Sequence, residues 1–295
     1  MRVAVVINPV AGVRGTLDRA RRRAERAATL LTRGGAEPDI LITERAGHAH
    51  ELARNALERG ARIVVAWGGD GTVNEVASAL AFSPAALGVI PAGSGNGLAR
   101  MFALPSDPAA AIGRLLHGRD RQIDLGQMNG RLFANIAGIG CDAHVAARFA
   151  ALHRSRRGFL RYASIVLGEL GRYRSARYSL SLDGASPVDR TAFLLTFANG
   201  RQWGNGAVIA PSALPDDGQL DVVVVSAQNG AQVWRSVPRL FMGSVDRAAG
   251  VETTRVRSAY VTSDAPLSGH VDGEPCPLGN LVEVRVHPGG LRLRL

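Results

Sequence analysis

The chain opens on an unbroken apolar run, Val3-Ala4-Val5-Val6-Ile7, closed by Asn8-Pro9. Such a run predicts a strand buried on both faces, as parallel sheets contain. From residue 15 to 33 the period changes. Leu17, Ala20, Ala24, Ala27 and Leu31 fall on one helical stripe, while Arg19, Arg21, Arg22, Arg23 and Arg26 occupy the other face. Gly34-Gly35 ends this helix. The alternation then repeats, with strands predicted at 39–43, 63–67 and 87–90. Helices are predicted at 48–59, from 73 to about 81, at 97–102, and from 108 to 116 behind an Asp107 cap and Pro108. Strands alternating with helices imply a mostly parallel sheet covered on both sides.

Beyond residue 120 the dominant period is two. Runs at 121–128 and 131–137 flank Asn129-Gly130, a strong hairpin signal. Runs at 178–182 and 191–197 flank a turn-rich stretch, and further β runs follow at 220–225, 254–261 and 281–286. One helix is predicted among them, at 158–173, with Phe159, Tyr162, Val166 and Leu170 on one stripe. The expected organisation is an α/β nucleotide-binding domain over 1–124 and a β-rich, antiparallel, sandwich-like domain over 125–286. Pro288-Gly289-Gly290 before the last apolar segment suggests that residues 287–295 return to complete the first domain.

Composition narrows the function. With 295 residues, 46% of them hydrophobic, the chain can bury a sizeable core. No apolar run reaches the roughly 18–20 residues of a membrane span. The first apolar segment reads as a strand and not as a secretory signal. Cys141 and Cys276 imply no disulfide framework, so a cytoplasmic location is expected. All 35 basic side chains are arginine, with no lysine. That excludes a P-loop, a protein kinase and Schiff-base chemistry, each of which needs a lysine. The net charge of +10 reads either as genome composition or as attraction to anionic lipid or nucleic acid, and no nucleic-acid-binding motif is recognisable. The arginines of segment 148–177, interleaved with Phe159, Tyr162 and Tyr173, read equally as a solvated helix face or as a membrane interface. His48 and His50 open a helix, where a structural or capping role outweighs metal binding.

The chemistry gathers in turns. Gly68-Gly69-Asp70-Gly71-Thr72-Val73-Asn74 follows the strand at 63–67 and leads into a helix. Glycines let backbone N–H groups approach phosphate oxygens, and the helix directs its positive end at the same place. Asp70 stands at the carboxyl end of a strand, where α/β sheets bind ligands. A second turn, Pro91 to Asn96, follows the next strand and offers Gly93, Ser94 and Asn96. Asn8 and Thr43 close the first two strands. Leu214-Pro215-Asp216-Asp217-Gly218-Gln219 reads either as a solvated turn or as an oxygen cage for a hard cation. Asp272-Gly273-Glu274 reads either as a surface turn or as a positioned base.

Together these motifs resemble the diacylglycerol kinase catalytic family, a superfamily of lipid kinases that includes sphingosine and ceramide kinases. The resemblance runs from Val3 to Glu274 and is most specific at 68–76, with support at 91–100, 133–143 and 210–218. It implies ATP held by Asn8, Thr43, residues 68–74, Gly93 and Ser94 between the two domains, with Asp70 organising the metal and phosphates. It implies Mg²⁺ at Leu214, Asp217 and Gln219, the first and last through backbone carbonyls. Glu274 would be the base that activates a lipid hydroxyl, and the lipid would meet the second domain at a membrane surface. In one respect the chain departs from bacterial diacylglycerol kinases, which usually carry Thr and then Asn-Asp in the second turn. Ser94-Gly95-Asn96-Gly97-Leu98-Ala99 is closer to the sphingosine kinase branch, so a sphingoid base rivals diacylglycerol as acceptor. An NAD kinase-like enzyme and a nucleotide-binding regulator without turnover are the remaining alternatives. Oligomeric state stays open, a homodimer included.

Overall fold

The computed structural model describes residues 1–12, 17–151, 168–169, 172–226 and 230–295, the side chains of 230–234 excepted. Most of the expected helix at 158–173 and four of the eight arginines of the 148–177 segment lie outside the described residues. The chain divides into two compact units, Met1–Ile123 with Gly289–Leu295, and Asp124–Pro288.

In the first unit, β1 (Arg2–Ile7) lies between β2 (Glu37–Ile42) and β3 (Ile63–Gly68), and β3 pairs β4 (Ala86–Pro91). These pairs are parallel, with Ile7 beside Ile42 and Trp67, and Gly68 beside Pro91. The end of β15 (Glu274–Arg294) adds a further parallel strand, Leu293 pairing Leu87. Alternate residues of β1 and β3, among them Val5, Ile7, Val65 and Trp67, form one cluster with α1 (Leu17–Arg33) and α5 (Pro108–His117). α2 (His48–Glu58) packs against α3 (Asp70–Leu80). α3 starts at Asp70, three residues before the helix read from the sequence, so the glycine motif is itself the first turn of a helix. The short α4 (Gly97–Met101) completes the unit.

Parallel pairing is confined to that unit, and every described strand pair of the second is antiparallel. β7 (Ile136–Gly140) pairs β9 (Val188–Ala198), β9 pairs β8 (Ala176–Leu182), β8 pairs β14 (Ser258–Val271), and β14 returns to β7. This closed circuit surrounds a core containing Phe133, Phe197, Tyr178, Val261 and Val284. β12 (Leu220–Ser226) and β13 (Val251–Val256) extend it from β9.

Three readings of this half need correction. The run 131–137 is two strands, β6 (Arg131–Phe133) and β7, because the amides of Ala134, Asn135 and Ile136 all turn to the Asp272 carboxylate. The run 254–261 likewise splits between β13 and β14. Two helices went unread: α6 (Cys141–Ala150) and α7 (Gly230–Phe241). The apolar stripe of α6 is mostly alanine, and α7 carries Pro238 inside it.

Candidate active site

The parallel strands end together, and their ends assemble the first group of expected residues. Asn8, just past β1, donates from Nδ2 to Thr72 Oγ1 at 2.9 Å. Thr43, just past β2, is buried and its amide donates to the Ile7 carbonyl. Gly68 leaves no room for a side chain, since a Cβ there would come within 2.5 Å of the Thr72 hydroxyl. Gly71 and Thr72 lie in the first turn of α3, the Val73 amide donates to the Gly69 carbonyl, and Asn74 is half-buried on the same helix.

The two glycine turns touch through bare backbone. A Cβ on Gly93 would stand 2.6 Å from the Gly69 Cα. Asp70 then locks them: Oδ2 accepts from the Asn96 amide at 2.8 Å and Oδ1 from the Gly97 amide at 2.7 Å. Asn96, at φ +52°, braces its own turn by accepting from the Gly93 amide and donating to the Gly93 carbonyl. Both oxygens of Asp70 are therefore given to backbone, which makes it a brace between the turns before anything else. Ser94 is left exposed at the tip. Glu75, one turn into α3, accepts from the amides of Gly47 and Ala49 and so caps α2. His48 accepts from the Glu44 amide through Nδ1, a structural role as expected.

Beside these turns, Arg19, Arg22, Arg23 and Arg26 line an open hollow of about 380 Å³ with Trp67 and Ser106. The Arg23 guanidinium lies 5.7 Å over the Trp67 ring. Burial, with Arg19 nearby, makes its charged form less favourable than usual. Such a hollow attracts anions.

The remaining expected residues lie in the second unit. Asp217 Oδ1 accepts from the Gln219 amide at 3.0 Å, while its Oδ2 is buried with no hydrogen-bond partner. The Arg255 guanidinium stands 3.8 Å from that oxygen. Leu214 is exposed. Among the described residues no three His, Cys, Asp or Glu side chains gather as a metal cluster, so any cation here needs backbone carbonyls. Asp124 was missed by the sequence reading. It is buried on β5 (Asp120–Met128), its amide donates to the Pro215 carbonyl, and its carboxylate accepts from the Gly218 amide at 2.7 Å. A carboxylate between Ile123 and Leu125 was the available signal.

The turn Asp272-Gly273 joins β14 to β15 with φ of +47° and +85°, and Val271 pairs Glu274 across it. Both positive angles make it a two-residue type I′ hairpin. Asp272 is an anchor, accepting the amides of 134–136, and only Glu274 presents an exposed carboxylate. Behind the turn sit Asp142 and His270, also missed.

Residues 2–128 match the diacylglycerol kinase catalytic domain, and residues 135–295 match the YegS C-terminal NAD kinase beta sandwich-like domain. A Mycobacterium tuberculosis protein named diacylglycerol kinase is 32% identical over 299 residues, covering 99% of this chain and 94% of that one. The chain belongs to the diacylglycerol kinase-like lipid kinase family. A Pseudomonas aeruginosa protein named "Probable lipid kinase YegS-like" is 34% identical over 281 residues, covering 92% of this chain and 89% of the relative. Among solved structures, a diacylglycerol kinase from Bacillus anthracis superposes with a TM-score of 0.72 at 18% identity, over 99% of this chain and 96% of that one. An NAD kinase from Archaeoglobus fulgidus, solved with ATP, reaches 0.57 at 13% identity over 100% and 94%. The last two show the shared fold.

Proposed function

We propose that this lipid kinase transfers the γ-phosphoryl group of ATP to a hydroxyl of diacylglycerol or a closely related lipid. The observation that carries the nucleotide half is the pair of glycine turns held backbone to backbone by Asp70 at the ends of β3 and β4. In this reading Asn8, Thr43, Gly68–Asn74, Gly93 and Ser94 surround the nucleotide, and Asp70 positions the turns. Glu274 accepts the hydroxyl proton as the lipid oxygen bonds to the γ-phosphorus and the bond to the ADP oxygen breaks.

The Asp217 turn fits a hard cation. It offers one buried carboxylate oxygen without a hydrogen-bond partner, 3.8 Å from the Arg255 guanidinium, and backbone carbonyls at Leu214 and Gln219 would complete an all-oxygen set. Mg²⁺ held there would supply local positive charge and order to the turn. A sphingoid base is the second acceptor we carry, on the Ser94-Gly95-Asn96 form of the second turn. The NAD kinase reading has only the shared fold behind it.

Incubating the protein with labelled ATP, Mg²⁺ and a total lipid extract, then identifying the product by mass spectrometry, tests the activity. The expected product is a phosphorylated glycerolipid. A labelled NADP from parallel incubation with NAD, or no labelled lipid, would overturn the reading. Glu274→Ala is expected to lower turnover about 10²–10⁴-fold, the usual worth of a general base, with ATP affinity nearly intact.

We further infer peripheral contact of a cytoplasmic enzyme with anionic membrane through its arginine surface. No helix among the described residues is long and apolar enough to cross one. Co-sedimentation with phosphatidylglycerol vesicles is expected at low salt and is expected to fade at high salt. Salt-independent binding would count against it.

A further inference from the structure

The polar cluster behind Glu274 has no assigned role. Thr196 is 0% exposed, and the side chains of Asp142 and His270 are 8% and 5% exposed. Asp142 Oδ2 accepts from the Thr196 hydroxyl at 3.1 Å and lies 3.3 Å from His270 Nε2, while its Oδ1 accepts from the Ala143 amide. The opposite ring nitrogen, His270 Nδ1, lies 3.3 Å from the Gly273 amide nitrogen. A backbone amide can only donate. Nδ1 is therefore the bare, accepting nitrogen, and the ring proton sits on Nε2, facing the Asp142 carboxylate. The sequence makes room for this: a Cβ on Gly138 would collide with the Asp142 carboxylate and come within 2.9 Å of His270 Nε2.

We propose that His270, oriented by Asp142 and Thr196, is a positioning residue that fixes the Gly273 peptide and thereby aims Glu274 at the acceptor hydroxyl. The step from turn to chemistry rests on the reading of Glu274 as the base. Asp272 already ties the turn to residues 134–136, but through the residue on the far side of Gly273. The N–H of Gly273, the residue next to Glu274, donates to the imidazole. An anchored peptide at that point limits the arc through which the carboxylate can swing. Misplacement of a reacting group by about 1 Å can cost about 10²-fold in rate.

Two near-isosteric replacements separate the two ring nitrogens. His270→Asn puts an amide oxygen near the place of Nδ1 and leaves Asp142 without its ring donor. His270→Gln puts an amide N–H near the place of Nε2 and removes the acceptor for Gly273. Turnover is measured as labelled phosphate transfer from ATP into the total lipid extract, alongside thermal unfolding and hydrogen exchange of the Gly273 amide. His270→Asn is expected to lower the melting temperature yet keep kcat near wild type and the Gly273 amide protected. His270→Gln is expected to lose about 10- to 100-fold in kcat at unchanged KM for ATP, with the Gly273 amide exchanging fast. If kcat follows the melting temperature in both variants, or if exchange at Gly273 is the same in both, the positioning role is overturned. Glu274→Ala serves as the parallel arm. Full turnover in that variant would sink the base assignment, while the exchange measurement would still decide whether His270 holds the turn.

Discussion

Asp70 shows how a single carboxylate can hold a structural task that its neighbours do not display. Placed among glycines, it reads as a group for metal or phosphate. In the structure its two oxygens also accept the Asn96 and Gly97 amides, and Gly95 must lack a side chain because a Cβ would stand 2.6 Å from Asp70 Oδ2. The residue stands out in the sequence because the strand-to-helix glycine turn is legible. Its partners were hidden because they arrive from 26 and 27 residues away. Asp70→Asn tests the difference. The Asn amide would turn an N–H toward an N–H, leaving one backbone donor unpaired. We expect the nucleotide-free protein to lose about 1–3 kcal/mol of stability, as for an orphaned donor to a charged group. Denaturant unfolding without nucleotide or metal measures it. An unchanged midpoint would return Asp70 to a purely ligand-binding role.

At the scale of elements, what the sequence displayed best were the strands buried on both faces. The run 63–67 became β3 because every residue in it is apolar and the chain leaves it at a glycine. Helix ends were less visible, since caps can come from another element. The Ncap position of α2 is Gly47, at φ +79°, and no side chain next to it supplies a cap. Glu75 does so from α3, accepting both the Gly47 and Ala49 amides. The carboxylate also sits favourably against the positive end of the α2 dipole. The Glu of the glycine motif thus has a task in holding two helices, separate from any nucleotide. Glu75→Ala is expected to cost about 1–2 kcal/mol, the usual range for a lost cap. Thermal unfolding measures this, and ATP affinity should fall less than it does for Asp70→Asn. A variant as stable as the parent would show that water replaces the cap without cost. The polar cluster of Asp142, Thr196 and His270 was illegible for the same reason: three residues from three elements meet only through antiparallel pairing.

At the scale of the whole molecule, one strand does two jobs. β15 pairs β14 antiparallel from Glu274 to Arg285, then its last residues pair β4 parallel. Pro288-Gly289-Gly290 marks the change, with Gly289 at φ +61°. The final residues are well held. Leu291 and Leu293 are buried, the Gly290 carbonyl accepts from the Phe82 amide, and Leu295 and Arg119 exchange backbone hydrogen bonds. Arg294 donates to the carbonyls of Leu115 and Leu116 and pairs with Asp120 at 3.0 Å. Losing the burial of Leu291 and Leu293 costs about 3–6 kcal/mol at about 1.5–3 kcal/mol each. That is a large part of the roughly 5–15 kcal/mol by which domains are stable. It would also bare the edge of β4 as a template for association. A chain ended at Pro288 is therefore expected to unfold its first unit at markedly lower denaturant and to aggregate near neutral pH. Leu293→Ala in the full chain should reproduce part of the destabilisation without the open edge. Unfolding followed by Trp67 fluorescence, in a background with the other tryptophans replaced, reads the first unit alone. If the shortened chain gave the same midpoint as the full one, the terminal strand would be an ornament on β4 and not part of what holds the glycine turns in place.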